Sequence, residues 1–156
     1  AMLTACMLGR RFSIVTFATA LGAWYRDCVE MHGLAARCSS VRCLDEAFAA
    51  LTKVQHDKED LLVDLASKAV AEDGAEAIIL GGAPLAGLAD KVRDRVAVPL
   101  VDPIAAAVKQ AEAIITLNPR KAVAGSFRRP APKPTSGLPD ALAARIEHRD
   151  IPFAAE

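Results

Sequence analysis

The sequence predicts an α/β fold, a four-stranded parallel sheet held between two layers of helices, and three observations carry that prediction. Short β-branched or aliphatic runs alternate with longer stretches of helical periodicity. A hydrophobic content of 53% in 156 residues is enough for one buried core. Two of the apolar runs end in residues suited to a strand-to-helix turn, Gly81-Gly82 and Asp102-Pro103.

Phe12-Ser13-Ile14-Val15-Thr16-Phe17 is a β-branched and aromatic run suited to a buried first strand. A helix is expected over residues 20–32, with Leu21, Trp24, Tyr25, Cys28, Val29 and Met31 on a broad apolar face and Gly33 at its carboxyl cap. Trp24 and Tyr25 are read as core or interface residues rather than ligand stackers. Ser40-Val41-Arg42-Cys43-Leu44 forms the second strand. Leu62, Leu65, Ala66, Ala69 and Val70 then recur at helical spacing, with Lys58, Glu59, Asp64 and Lys68 on the other faces and Gly74 ending the helix. Ala77 to Leu80 is the third strand, followed by a helix over 83–95 opened by Pro84 in the favoured first turn.

Val96-Ala97-Val98-Pro99-Leu100-Val101 is the fourth strand. Pro99 has no N–H to give to a ladder, which assigns this strand to a sheet edge. Asp102 caps the next helix, where Ile104, Ala107, Val108, Ala111 and Ile115 define one buried stripe. Four such units with right-handed crossovers make a small flavodoxin-like three-layer domain over residues 9–118, with strand order 2-1-3-4. Residues 119–139 hold five prolines, five basic residues and no acidic ones. They are expected to run extended, and a short terminal helix over 140–148 completes a tail unit of residues 119–156.

Nineteen basic residues balance nineteen acidic ones, so no global field draws nucleic acid. The longest uncharged run, residues 12–25, is too short to cross a bilayer as a helix. The apolar amino terminus precedes Arg10 and Arg11, the reverse of a signal peptide, so a cytoplasmic protein is expected. Ala1 stands ahead of Met2, where a native start is expected, and is set aside from functional argument. Cys6, Cys28, Cys38 and Cys43 form no Cys-x-x-Cys pair and are read as reduced, mostly buried thiols. On a continuous strand Cys38 and Cys43 would face opposite sides and share no metal. His32, His56 and His148 show no metal-ligand spacing either, so neither metal nor cofactor is expected.

The turn after the third strand is the natural ligand position, because backbone N–H groups and a helix amino terminus meet there. Gly82-Ala83-Pro84-Leu85-Ala86-Gly87 has the glycine spacing of a P-loop. Leu88 and Ala89 nevertheless stand where Lys and Ser or Thr would hold phosphate and magnesium.

Five segments in order carry a resemblance. They are Gly9-Arg10-Arg11-Phe12-Ser13-Ile14-Val15-Thr16; Gly33 to Arg42; Asp73-Gly74-Ala75-Glu76-Ala77-Ile78-Ile79-Leu80-Gly81; Val98-Pro99-Leu100-Val101-Asp102; and, more loosely, Gly125-Ser126-Phe127 with Pro130 and Gly137-Leu138. Together they resemble the second half and carboxyl tail of the hydantoin and allantoin racemase branch of the aspartate/glutamate racemase superfamily. The resemblance implies cofactor-independent proton transfer at a carbon beside a carbonyl, with two flavodoxin-like halves each supplying one cysteine. It also implies that the first half is absent here and that Gly82 occupies the position of the second catalytic cysteine. None of the four cysteines falls at a matching position.

Thr16 matches a pocket-lining threonine of that family, although a threonine there can equally bond its own turn. With Gly81, Gly82 and Ala83 it makes the expected binding set for a hydantoin or amino-acid-like ligand. Three readings follow from the residues: a racemase homologue of weak or lost activity, a non-catalytic binding or homo-oligomeric module, and the remnant of a disrupted gene. In the second, two copies pair through the exposed half-interface, with the tail crossing to the neighbour.

Overall fold

Four strands, β1 (Phe12–Thr16), β2 (Cys38–Cys43), β3 (Ala77–Gly81) and β4 (Leu100–Val101), make one parallel sheet in the order β2-β1-β3-β4, the order expected. The computed structural model describes residues 1–44 and 53–149. Its helices are α1 (Met2–Leu8), α2 (Gly22–Met31), α3 (Val54–Asp73), α4 (Leu88–Val92), α5 (Pro103–Leu117) and α6 (Asp140–Ile146). The chain divides into two compact units, Ala1–Leu117 and Asn118–Glu156.

Alternation along the strands sorts the core into two layers. Val15, Phe17, Ile78 and Leu80 pack on one face against Leu62, Val63, Ala66 and Ala69 of α3 and Leu88, Ala89 and Val92 of α4. Phe12, Ile14, Ala77, Ile79 and Val101 pack on the other face with Ala5 of α1, Val29 of α2 and Ala106 of α5. All five residues of β1 and of β3 are buried, as strands covered on both faces require. Each large side chain so buried contributes about 1.5–3 kcal/mol. Gly74 ends α3 in the left-handed region at φ +67°, and Gly33 follows α2 at the same φ.

Several elements differ from expectation. A first helix, α1, forms ahead of Gly9, with Ala5 fully buried. The fourth strand is only Leu100–Val101. Pro99 cannot donate but accepts, its carbonyl taking the Ile78 N–H at 2.9 Å, and the strand lies at the sheet edge as its proline predicts. The helix expected over 83–95 breaks into a single 3₁₀ turn (Ala83–Leu85), the short α4 and a second 3₁₀ turn (Arg93–Arg95). Extended Ala86 (ψ 130°) and left-handed Gly87 (φ +82°) interrupt it.

The apolar stripe expected to be buried on α5 is exposed: Ala106 is its buried residue, while Ile104, Val108 and Ile115 face outward. Trp24 is likewise 58% exposed and outside the core, edge-on to Tyr25. All four cysteines are half-buried rather than mostly buried.

Strand β2 carries a register shift between the Phe12↔Cys38 and Ser13↔Ser40 pairs, which leaves Ser39 as an extra residue. This bulge overturns the expectation for the cysteines. Cys38 and Val41 pack in the same layer, and Cys43, two residues beyond Val41, shares their face. The bulge also aligns polar groups on the opposite face. Ser13 Oγ meets Ser40 Oγ at 2.8 Å, Ser40 Oγ donates to Asp73 Oδ2 at 2.6 Å, and Arg42 grips the same carboxylate at 2.6 and 2.8 Å. Edge strand β2 is thereby fastened to the end of α3.

In the second unit, residues 118–139 contain no helix or strand. Helix α6 buries Ala143, and Glu147 beyond it accepts hydrogen bonds from the Thr135 N–H (2.9 Å) and hydroxyl (2.5 Å), contacts that hold its carboxyl below the usual range. No described helix is long and apolar enough to cross a membrane.

Candidate functional site

The carboxyl ends of β1 and β3 lie side by side, with Thr16 opposite Gly81 in the ladder. The sheet thus brings together the four residues expected to bind a ligand: Thr16, Gly81, Gly82 and Ala83. Thr16 is fully buried and its Oγ1 has no hydrogen-bond partner among the described residues. Such a hydroxyl is costly to leave unmatched.

Tyr25 of α2 reaches over the same spot. A Cβ at Gly81 would lie 3.0 Å from Tyr25 Cζ and 3.1 Å from its hydroxyl oxygen, so glycine is what admits the phenol here. Burial pushes the Tyr25 hydroxyl pKa up, the nearby Thr16 side chain opposes that rise, and Cys28 and Cys43 add to it. Thr16 is thus the polar neighbour that the Tyr25 hydroxyl meets at this end of the sheet. Cys43, at the end of β2, is pushed up by burial, with Arg26 opposing.

Gly82 adopts φ +125°, a region that L side chains rarely enter. The turn continues through Leu85 N–H to the Gly82 carbonyl (2.9 Å) and Ala86 N–H to the Ala83 carbonyl (3.0 Å). As the first donors of a helical turn, the N–H groups of Gly82 and Ala83 lack intrahelical acceptors. The turn is a single 3₁₀ turn, so no long helix dipole stands behind them. Gln55 of α3 holds the turn from outside, donating to the carbonyls of Pro84 (2.9 Å) and Ala86 (2.7 Å).

Asp102 is a cap, as expected. Its Oδ1 accepts the Ile104 and Ala105 N–H groups at 2.8 and 3.1 Å, and its Oδ2 accepts the N–H of Gly87, which ties the start of α4 to the end of β4. No cluster of three or more His, Cys, Asp or Glu is arranged to hold a metal among the described residues.

Residues 1–111 match the family model for Asp/Glu/hydantoin racemases. The chain belongs to that family. It is 34% identical to a hydantoin racemase of Rhizobium meliloti over 137 residues, 88% of this chain and 57% of that protein. A hydantoin racemase of Paenarthrobacter aurescens is 32% identical over 78% of this chain and 52% of its own length. The allantoin racemase structure from Pseudomonas fluorescens superposes with a TM-score of 0.75 at 34% identity, covering 88% of this chain and 58% of that one. Allantoin racemase from Klebsiella pneumoniae gives a TM-score of 0.76 at 29% identity, over 87% and 56%. The chain therefore spans little more than half the length of the relatives it matches.

Sequence reasoning did not place Phe17, Tyr25 or Gln55 at this turn. Phe17 closes the strand run that Thr16 belongs to, a signal for proximity, but Tyr25 and Gln55 arrive from helices whose rotation about the sheet is not written in local periodicity.

Proposed function

We propose that this chain is a ligand-binding racemase-family domain with weak or no racemase activity of its own. One observation carries the reading: position 82, where the resemblance implies a catalytic cysteine, is a glycine whose missing side chain is replaced in space by the Phe17 ring, 2.7 Å from the ideal Cβ. Racemisation requires a base on one face of the stereocentre and an acid on the other. The turn supplies neither. Tyr25, which lies over Gly81, and Cys43, at the end of β2, are both pushed up by burial, which keeps them protonated near neutral pH.

What remains is recognition. The Thr16 hydroxyl and the N–H groups of Gly82 and Ala83 are of the kind that receive a carbonyl or carboxylate, which suits a hydantoin or amino-acid-like ligand. The test is incubation with enantiopure 5-substituted hydantoin, allantoin, aspartate and glutamate while optical rotation is followed, alongside calorimetric titration of the same compounds. Binding without change of rotation is expected, and Thr16→Val should weaken it. Loss of rotation well above a buffer control would overturn the reading.

A homodimeric assembly is favoured by a separate observation. Val108, Ile114, Ile115 and Leu117 of α5 and Leu3 and Met7 of α1 are all more than half exposed, and Gln110 of α5 lies 3.3 Å from Thr4 of α1, so the two helices are neighbours. A second copy is the occupant that would cover this face. Light scattering of the whole chain should give a dimer mass that falls on Ile115→Asp; a monomer at high concentration would reject the assembly.

A further inference from the structure

At the amino-terminal ends of β1, β2 and β3, opposite the glycine turn, lies an open cleft of about 540 Å³ lined by Arg10, Arg11, Ala36, Arg37 and Glu76. Parallel topology makes this convergence. Arg10 and Arg11 immediately precede β1, Arg37 precedes β2 and Glu76 precedes β3, so three separate segments deliver charge to one end of the sheet.

Arg37 is fixed in place. Its Nη2 donates to the carbonyls of Cys6 and Gly9 at 2.8 Å each, and its Nε to the carbonyl of Arg10. Carbonyls orient a guanidinium without neutralising it. Arg10 and Arg11 form no ion pair among the described residues. The one carboxylate of the lining, Glu76, accepts the backbone N–H of Arg10 at 2.5 Å instead of a guanidinium. The cleft therefore carries a surplus of two positive charges in a chain whose total charge is zero.

Arg37 donates to three carbonyls between α1 and β1, whereas the Arg10 and Arg11 guanidiniums make no such contact among the described residues. Like charges gathered in a concavity repel one another, and the same concavity focuses their field on an anion. Guanidinium geometry matches phosphate oxygens in bidentate fashion. We propose that this cleft is a binding site for a small polyvalent oxyanion of the phosphate class, distinct from the glycine turn and independent of the function proposed for it.

The experiment is calorimetric titration of the whole chain with inorganic phosphate, pyrophosphate and glycerol 3-phosphate, at ionic strength held constant with sodium chloride. Saturable one-site binding of at least one of them is expected. Preference for the ester would identify a phosphorylated metabolite as the ligand, and preference for the inorganic ions would identify free phosphate. Arg10→Ala and Arg11→Ala should each weaken binding about tenfold or more, as loss of a charge-assisted pair does. Arg93→Ala, which removes an exposed charge outside the cleft, should leave it unchanged. The proposal falls if none of the three compounds saturates, if the Arg10 and Arg11 variants bind as the parent does, or if Arg93→Ala weakens binding equally.

Discussion

The edge of the Phe17 ring stands where a side chain at Gly82 would begin, with Cε1 2.7 Å from the ideal Cβ position. Gly82 is also held at φ +125°, so a larger residue there meets two separate obstacles. Gly82→Ala should cost about 1–3 kcal/mol from backbone strain alone, and more from overlap with the ring. Phe17→Leu removes the overlap but not the strain. In a urea-denaturation double-mutant cycle, the cost of Gly82→Ala should therefore be smaller in the Phe17→Leu background. Strict additivity would show that the ring is not the obstacle.

Asp102 binds three N–H groups from two different elements, so its loss should exceed that of an ordinary helix cap. Asp102→Ala is expected to cost about 2 kcal/mol or more. Asp102→Asn should cost less, because one amide oxygen still caps α5 while the amide nitrogen cannot accept from Gly87. Thermal unfolding ranks the three proteins, and equal melting of the two variants would contradict the dual role.

The Arg42 guanidinium, helped by Ser40, holds the Asp73 carboxyl below the usual range. A depressed folded pKa stabilises the fold above the unfolded value near ~3.9, and that contribution is lost as pH falls through the folded value. Asp73→Asn should thus destabilise by about 1–3 kcal/mol at pH 7. The gap from the parent should close as acidification carries the pH below the folded value. A gap that persists there, read from urea midpoints across pH, would mean that packing rather than charge is responsible. The Arg42 side of the pair, whose pKa is raised, bears only on strongly alkaline solutions.

Burial raises the pKa of both Cys38 and Cys43, with partial opposition from Ser40 and Arg11 at the first and Arg26 at the second. Fewer thiolates at neutral pH mean slower alkylation. Peptide mapping after brief iodoacetamide treatment at pH 7 should show both reacting more slowly than free cysteine. Faster reaction at Cys43 would make it a candidate base and weaken the case for an inactive domain.

The sheet was readable because its strands are buried on both faces: Phe12 to Phe17 and Ala77 to Leu80 are apolar runs bounded by turns, and Pro99 assigns the fourth strand to an edge. Helix ends were readable where glycine stops them, at Gly33 and Gly74. The split after Leu85 was not, because Pro84 opens one helical turn as readily as a long helix, and the break depends on Asp102 drawing the Gly87 N–H toward β4. Periodicity on α5 reports an apolar stripe without saying what covers it. At the turn, Thr16, Gly81, Gly82 and Ala83 were legible through resemblance. The Phe17 ring that fills the vacancy depends on tertiary packing.

The extra residue at Ser39 makes the segment from Arg37 to Cys43 sensitive to its own length. Substitutions at the half-buried positions of this edge strand leave the alternation intact, but deletion of Ser39 would turn Cys38 toward the opposite layer and shift Arg37 from its carbonyl partners, even as Ser40 and Arg42 kept their pairing with β1. Divergence in this segment should therefore proceed by replacement and not by gain or loss of residues.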